Sequence, residues 1–211
     1  MPASRSNPTV LVVTPEVTYL PEGMGNMSNH LTAKAGGLAD VSAALISALF
    51  DQGADVHVAL PDYREIFAAH TAPVLKSEFR RIRDKMPDER IHLAEDRAFF
   101  YTTTVYSHYG SDNIKIALAF QREIINNIMP RVKPDLIHCN DWMTGLIPAA
   151  AREMGIPCLF TIHNIHTVKT LLASIEDRGI DAAYFWENLY YTRMAYEYEE
   201  SRESNPVDFL V

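Results

Sequence analysis

Two short β-branched runs bracket a helix near the start of the chain, and this arrangement constrains the fold more than any other feature. Thr9–Thr14, TVLVVT, is stopped by Pro15, and Asp55–Leu60, DVHVAL, is stopped by Pro61. Continuous apolar runs of this length are what the strands of a parallel sheet look like, because helices cover both faces. Between them lies Gly37–Gln52, GLADVSAALISALFDQ. Its Leu38, Val41, Leu45 and Leu49 recur at helical steps and predict one apolar face, and Gly53 supplies a C-cap. Strand, helix and strand in this order form a right-handed βαβ crossover. Glu16–Ala35, with Pro21, Gly23 and Gly25, reads as a loop. Loops of this length without regular structure usually serve function or motion.

The same alternation continues. A short helix is expected within Pro61–Ala69 and a peripheral hairpin within the charged stretch Arg80–Asp96. Ala98–Tyr106, AFFYTTTVY, reads as a strand. Asp112–Ile128 reads as a helix capped by Asp112 or Ser111, and Asp135–Cys139 as a strand. Met143–Met154 reads as a helix interrupted at Pro148 and ended by Gly155. Pro157–His163, PCLFTIH, reads as a buried strand, and Asp181–Ser201 as a further helix. The expected class is α/β: a Rossmann-like, doubly wound, mainly parallel sheet flanked by helices. With no linker or repeat, residues 1–211 read as a single domain. The apolar ending Val207–Val211 suggests a domain cut before it is complete.

Composition narrows the function classes. Hydrophobic residues make up 47% of the 211, enough for a sizeable core and too many for disorder. Lys and Arg total 19 against 27 Asp and Glu, a formal charge of −8, which argues against a nucleic-acid partner. No apolar run is long enough to span a membrane, and Met1–Pro8 lacks a signal peptide's apolar core, so a cytoplasmic protein is expected. Cys139 and Cys158 are too few for a disulfide framework and are not spaced as metal ligands. HExxH, Walker A, GxGxxG and GxSxG patterns are all absent, so the expectation is no metal and no cofactor.

Three polar clusters each follow an expected strand. Lys34-Ala35-Gly36-Gly37-Leu38 precedes a helix whose N-terminal amides and partial positive charge suit a phosphate or diphosphate, with Lys34 adding a full charge. A tight turn would use the same glycines, and spacing alone leaves both open. His138-Cys139-Asn140-Asp141-Trp142 stands at a strand-to-helix junction, where doubly wound sheets bind ligands. Asp141 could accept sugar hydroxyls and Trp142 could stack on a ring, but an N-cap Asp and a core Trp are slightly favoured on these residues alone. His138 reads as a buried, satisfied histidine. His163-Asn164 ends the next strand, where both side chains could hydrogen-bond a substrate. Three clusters at strand ends favour one shared cleft.

The ordered set VLVVTPEV, KAGGLADVSAAL, GADVHVALPDYR, DLIHCNDWMTGLIPA and CLFTIHNIH resembles the N-terminal domain of bacterial glycogen synthases and plant starch synthases. The resemblance spans most of the chain, apart from Thr71 to Ser107. It implies half of a GT-B glycosyltransferase whose nucleotide-binding C-terminal domain lies outside this chain. It further implies retaining transfer of glucose from ADP-glucose or UDP-glucose to the non-reducing end of an α-1,4-glucan, without a metal. On that resemblance Lys34, Gly36 and Gly37 would contact the phosphate side of the donor. His163 would contact the transferred glucose, and Asp141 and Asn164 would position sugar hydroxyls. The chain alone would then be inactive, and a plant relative would be plastid-type. Two departures stand out: the longer loop around Pro21–Leu31, and Ile165-His166-Thr167-Val168-Lys169 where the family commonly reads Tyr-Gln-Gly. The competing readings are another retaining GT-B transferase and a glucan-binding regulatory module.

Overall fold

The computed structural model describes residues 7–70, 89–108, 110–164, 169–188 and 206–208. Five parallel strands form its centre: β1 (Thr9–Val13), β2 (Asp55–Pro61), β3 (Ile91–Ala94), β4 (Leu136–Asn140) and β5 (Cys158–Thr161). Their spatial order is β3-β2-β1-β4-β5. That is the doubly wound order, in which the chain leaves β1 toward one side of the sheet and later returns to pair on the other. The registers Val12↔Val58 and Val12↔His138 fix β1 between β2 and β4. Leu11, Val12 and Val13 have no exposed surface, so β1 is covered on both faces. Each such side chain contributes roughly 1.5–3 kcal/mol by burial.

The helices are α1 (Gly37–Asp51), α2 (Arg64–Ala69), α3 (Arg97–Phe100), α4 (Gly110–Glu123), α5 (Met129–Val132), α6 (Ile147–Glu153) and α7 (Leu172–Glu176). A π turn, Ile124–Ile128, joins α4 to α5. Pro130 lies just beyond it. A proline has no N–H to give and crowds the carbonyl one turn back, and a widened turn accommodates that. A short antiparallel ladder, β6 (Lys169–Leu171) with β7 (Pro206–Asp208), completes the described elements.

The inner face of α1 differs from the one its leucines suggest. Ala39, Ser42, Ala43 and Ile46 are fully buried, whereas Val41 is 51% exposed. Small side chains let the helix approach the sheet closely. Ser42 is accommodated because its hydroxyl and that of Thr14 lie 2.9 Å apart in a hydrogen bond. Gly53 ends α1 as expected, at φ 77, with Ala54 N–H donating to the Leu49 carbonyl.

Three further expectations are corrected. Ala98–Tyr106 is not a strand. Asp96 accepts the Ala98 N–H at 2.6 Å and so starts α3, and Arg122 holds Asp96 at 2.7 Å. This side-chain cap outweighs the β-propensity of the aromatic run. The third strand instead comes from within the stretch read as a hairpin, and Ile91 pairs in parallel with Val58; residues 80–88 of that stretch lie outside the described residues. Finally, β5 is not buried. It is the edge of the five-stranded sheet, and Leu159 and Ile162 are 55% and 52% exposed. The helix expected over Asp181–Ser201 is described only as a 3₁₀ segment, Ala182–Asn188, and the rest lies outside the described residues.

A pair of histidines bridges β2 and β3. Ala59, the register partner of His92, is small, so His57 and His92 meet beside it. Their rings stack with centroids 5.2 Å apart, and His57 Nδ1 lies 2.9 Å from His92 Nε2. Burial pushes both imidazoles below the ordinary 6.5, and His92 falls to about 3. The unfolded chain therefore binds more protons than the native state between these values. The His92 contribution is full above pH 6.5 and falls as the pH drops toward 3, by up to about 1.4 kcal/mol per pH unit, and His57 acts in the same direction. Urea midpoints measured from pH 7 to 4 should show this slope, and His92→Gln should reduce it. An equal slope in the variant would remove the pair as its cause.

Candidate active site

The C-terminal ends of β1, β4 and β5 carry the three clusters. The crevice of a doubly wound sheet opens where the connections from neighbouring strands diverge, here between β1 and β4.

The first cluster begins α1. Gly36 is the N-cap, at φ −152 and ψ −163, and makes no side-chain cap bond. Neither Gly36 nor Gly37 has a positive φ, and a Cβ added at either would meet nothing within 4 Å. Turn geometry therefore does not require these glycines. They leave open space in front of the helix N-terminus, which is what close approach of an anion requires. Lys34 is not a free cation. Its Nζ binds both Asp40 oxygens, at 2.8 and 2.7 Å. The hydrogen bonds from Lys34 and Thr18 hold the Asp40 carboxyl below the ordinary carboxylate range.

The second cluster turns on Asp141. Its backbone stands at φ 63 and ψ 179, a region that residues with a Cβ rarely occupy and that costs roughly 1–3 kcal/mol. The surroundings hold it there. Asp141 N–H donates to the Thr161 carbonyl at 2.9 Å, and its own carbonyl accepts the Thr144 hydroxyl at 2.8 Å. The side chain is 5% exposed and does not cap the following 3₁₀ turn. Instead Oδ1 accepts the backbone N–H groups of His163 and Asn164, at 3.3 and 3.1 Å. The carboxylate thus fixes the path of the chain after β5.

The third cluster is brought directly against the second. The Asn140 amide donates from Nδ2 to the Val13 carbonyl at 3.4 Å, which orients Oδ1 toward His163 Nε2, 3.2 Å away. His163 Nε2 must then carry the hydrogen. The rest of the His163 side chain is exposed, as is Asn164. His138 is the satisfied buried histidine expected, with Nε2 2.7 Å from the Thr161 hydroxyl. Burial, then the charge of His163, lowers its pKa.

Reading the sequence missed three residues here. Asn140 lay within the quoted run and orients His163. Glu16, 1% exposed, accepts the Ala35 and Gly36 N–H groups at 2.6 and 3.0 Å and the Tyr106 hydroxyl at 2.9 Å. Tyr106 in turn packs on Trp142, with ring centroids 6.4 Å apart. Burial, then the Glu16 charge, pushes the Tyr106 phenol far up, and Asp141 adds to the shift. Only Glu16's place just after β1 could have pointed to it. His166 lies outside the described residues.

Among the described residues no three His, Cys, Asp or Glu side chains group as a metal site, and no helix is long and apolar enough to cross a membrane. A polar groove of about 560 Å³, lined by Asp55, His57 and Arg90, lies at the start of β1 and β2, at the opposite end of the sheet.

The family model for the starch synthase catalytic domain matches residues 9–204, and the chain belongs to that family. A glycogen synthase of Moorella thermoacetica is 32% identical over 176 residues, covering 74% of this chain and 33% of its own. One from Geotalea uraniireducens is 32% identical over 181 residues, covering 72% and 37%. The chain therefore spans about a third of the length of the curated relatives it matches. Among solved structures, the glycosyltransferase SsfS6 of Streptomyces sp. SF2575 matches at TM-score 0.37 and 16% identity, over 87% of this chain and 45% of its own. A likeness of that degree leaves the fold assignment to the sheet itself.

The strain at Asp141 gives a direct test. Asp141→Ala and Asp141→Gly both lose the hold on His163 and Asn164, but only glycine relieves the backbone. Asp141→Gly should be the more stable of the two by about 1 kcal/mol in urea denaturation. Equal stability, or alanine the more stable, would mean that the backbone at this position carries no strain.

Proposed function

We propose that this chain carries the N-terminal half of a retaining α-1,4-glucosyltransferase of the glycogen and starch synthase type, with a nucleotide-binding C-terminal domain outside residues 1–211. The observation that supports this best is the direct contact of the clusters after β4 and β5, Asn140 and Asp141 with His163 and Asn164, beside the β1–β4 switch point in a chain of the starch synthase family. The donor is ADP-glucose or UDP-glucose, and the acceptor is the non-reducing end of an α-1,4-glucan. The relatives named glycogen synthase are bacterial, and a cytoplasmic enzyme fits them.

Each residue then has a role set by its chemistry. The open N-terminus of α1 above Gly36 and Gly37 faces the diphosphate, whose charge grows as the glycosidic bond breaks, and Lys34, paired with Asp40, offers beside it the share of its charge that the diphosphate can draw from that pair. His163, oriented through Nε2 by Asn140, presents its exposed edge to the transferred glucose. Asn164 offers an amide to sugar hydroxyls. Asp141 acts by placing both on one fixed loop, and fixed placement accounts for much of the rate in such a transfer. None of these roles requires a metal.

The deciding experiment offers ADP-glucose and UDP-glucose separately to the full-length parent, with glycogen as acceptor. Transfer is expected from one of them, and His163→Ala should lower its rate about 100-fold or more without unfolding the protein. The 211-residue chain alone should show none. A folded parent that transfers from neither donor would overturn the reading in favour of a different acceptor or, if it still binds glucan, of a binding module.

A further inference from the structure

Glu16 takes part in none of the roles above, yet it bonds both the glycine loop and Tyr106, which packs on Trp142. Its carboxylate is almost wholly enclosed, at 1% exposure, and a buried carboxylate is tolerated only when hydrogen-bonded well. The donors come from two segments far apart in the chain. Oε2 takes the Ala35 and Gly36 N–H groups, at 2.6 and 3.0 Å, and Oε1 takes the Tyr106 hydroxyl, at 2.9 Å. The Glu16 backbone is anchored as well, because its carbonyl accepts the Thr14 hydroxyl at 3.0 Å.

Two consequences follow. The two amides just before α1 already hold the protein's own anion, so the loop before α1 is shaped around a carboxylate while the helix N-terminus stays open. The other end of the same carboxylate holds Tyr106, whose ring packs against Trp142, the neighbour of the strained Asp141. One side chain thus joins the glycine loop after β1 to the cluster after β4.

We propose that Glu16 is the positioning residue of this site, its carboxylate fixed between the Ala35–Gly36 amides and the Tyr106 hydroxyl so that the glycine loop and the Tyr106–Trp142 pair take up one arrangement together. Its meaning for catalysis rests on the donor-binding reading above, whereas the coupling rests on these hydrogen bonds alone. A diphosphate that settles at the loop therefore changes the surroundings of Trp142, although it need not touch that ring.

The test uses the 211-residue chain carrying Trp186→Phe, which leaves Trp142 as its one indole. Residue-resolved amide exchange is measured by NMR, and Trp142 emission is followed during titration with ADP and with inorganic pyrophosphate. Tyr106→Phe removes a single hydroxyl that does not touch the loop. It should speed exchange at Ala35 and Gly36 about five-fold or more while amides in β1 and β4 stay protected. It should also abolish the emission change that ADP or pyrophosphate causes. Glu16→Gln should do both and weaken binding about ten-fold. Should Glu16→Gln fail to fold, Tyr106→Phe still decides.

Unchanged exchange at Ala35 and Gly36 in Tyr106→Phe would overturn the proposal. So would exchange that rises evenly through the sheet, since that is plain loss of stability. A 211-residue chain that binds neither ADP nor pyrophosphate overturns the effect of a diphosphate on Trp142 alone, and the exchange measurement still decides the role of Glu16.

Discussion

β1 lies between two parallel neighbours and is covered on both faces, and the rest of the molecule is arranged by that constraint. A parallel strand must send its chain out at the carboxyl end, over the sheet and back again. With β2 on one side and β4 on the other, the connections from β1 and β4 leave in diverging directions, and a crevice forms between them. Every polar group that matters here stands at its rim: Glu16 and the glycine loop after β1, Asn140 and Asp141 at the end of β4, and His163 after β5. These residues are dispersed in the sequence, and parallel pairing gathers them at one edge.

That edge is held by anions the chain supplies itself. Glu16 satisfies two loop amides and a phenol, and Asp141 satisfies two amides of the next loop. Both carboxylates are nearly enclosed, and both accept backbone N–H groups in the manner of a bound anion. The stabilisation they give explains how a non-glycine residue persists at φ 63, since the surroundings over-determine its backbone. The Asp141 carboxylate in turn ties the start of the loop after β5 to the end of β4.

How much of this was legible in the sequence depends on the kind of signal. The strands β1, β2 and β4 and the helix stop at Gly53 were readable because burial on both faces and a left-handed cap leave local marks. The doubly wound class followed from their alternation. β3 was not readable, because a four-residue strand in a charged stretch has too little apolar pattern, and its place depends on pairing with β2. The aromatic run Ala98–Tyr106 misled because a cap from Asp96, held by Arg122, outweighs local propensity. The α1 face misled because Ala39 and Ala43 pack closer than leucines would. At the site, Lys34, the two glycines, Asp141, His163 and Asn164 stood out as polar groups after strands. Glu16, Asn140 and Tyr106 did not, since their importance lies in partners far along the chain.

The electrostatics of the rim bear on what these residues can do for a nucleotide sugar. A diphosphate brings negative charge to a chain whose formal charge is −8. The cation nearest the glycine loop, Lys34, is paired with Asp40, and that pairing keeps Asp40 ionised by lowering its pKa. Two of the loop amides belong to Glu16. What remains for an incoming diphosphate is the helix N-terminus, worth about half a positive charge, and whatever share of Lys34 it can draw from an exposed pair. That is too little to balance a leaving group that carries more than one negative charge. On the glucosyltransferase reading, most of the compensating charge must therefore come from residues outside the described ones. The described residues would chiefly orient the sugar, through His163 and Asn164 on the loop that Asp141 fixes. This division of labour follows from the pairing seen at the rim, and it accords with a chain that spans about a third of its relatives' length.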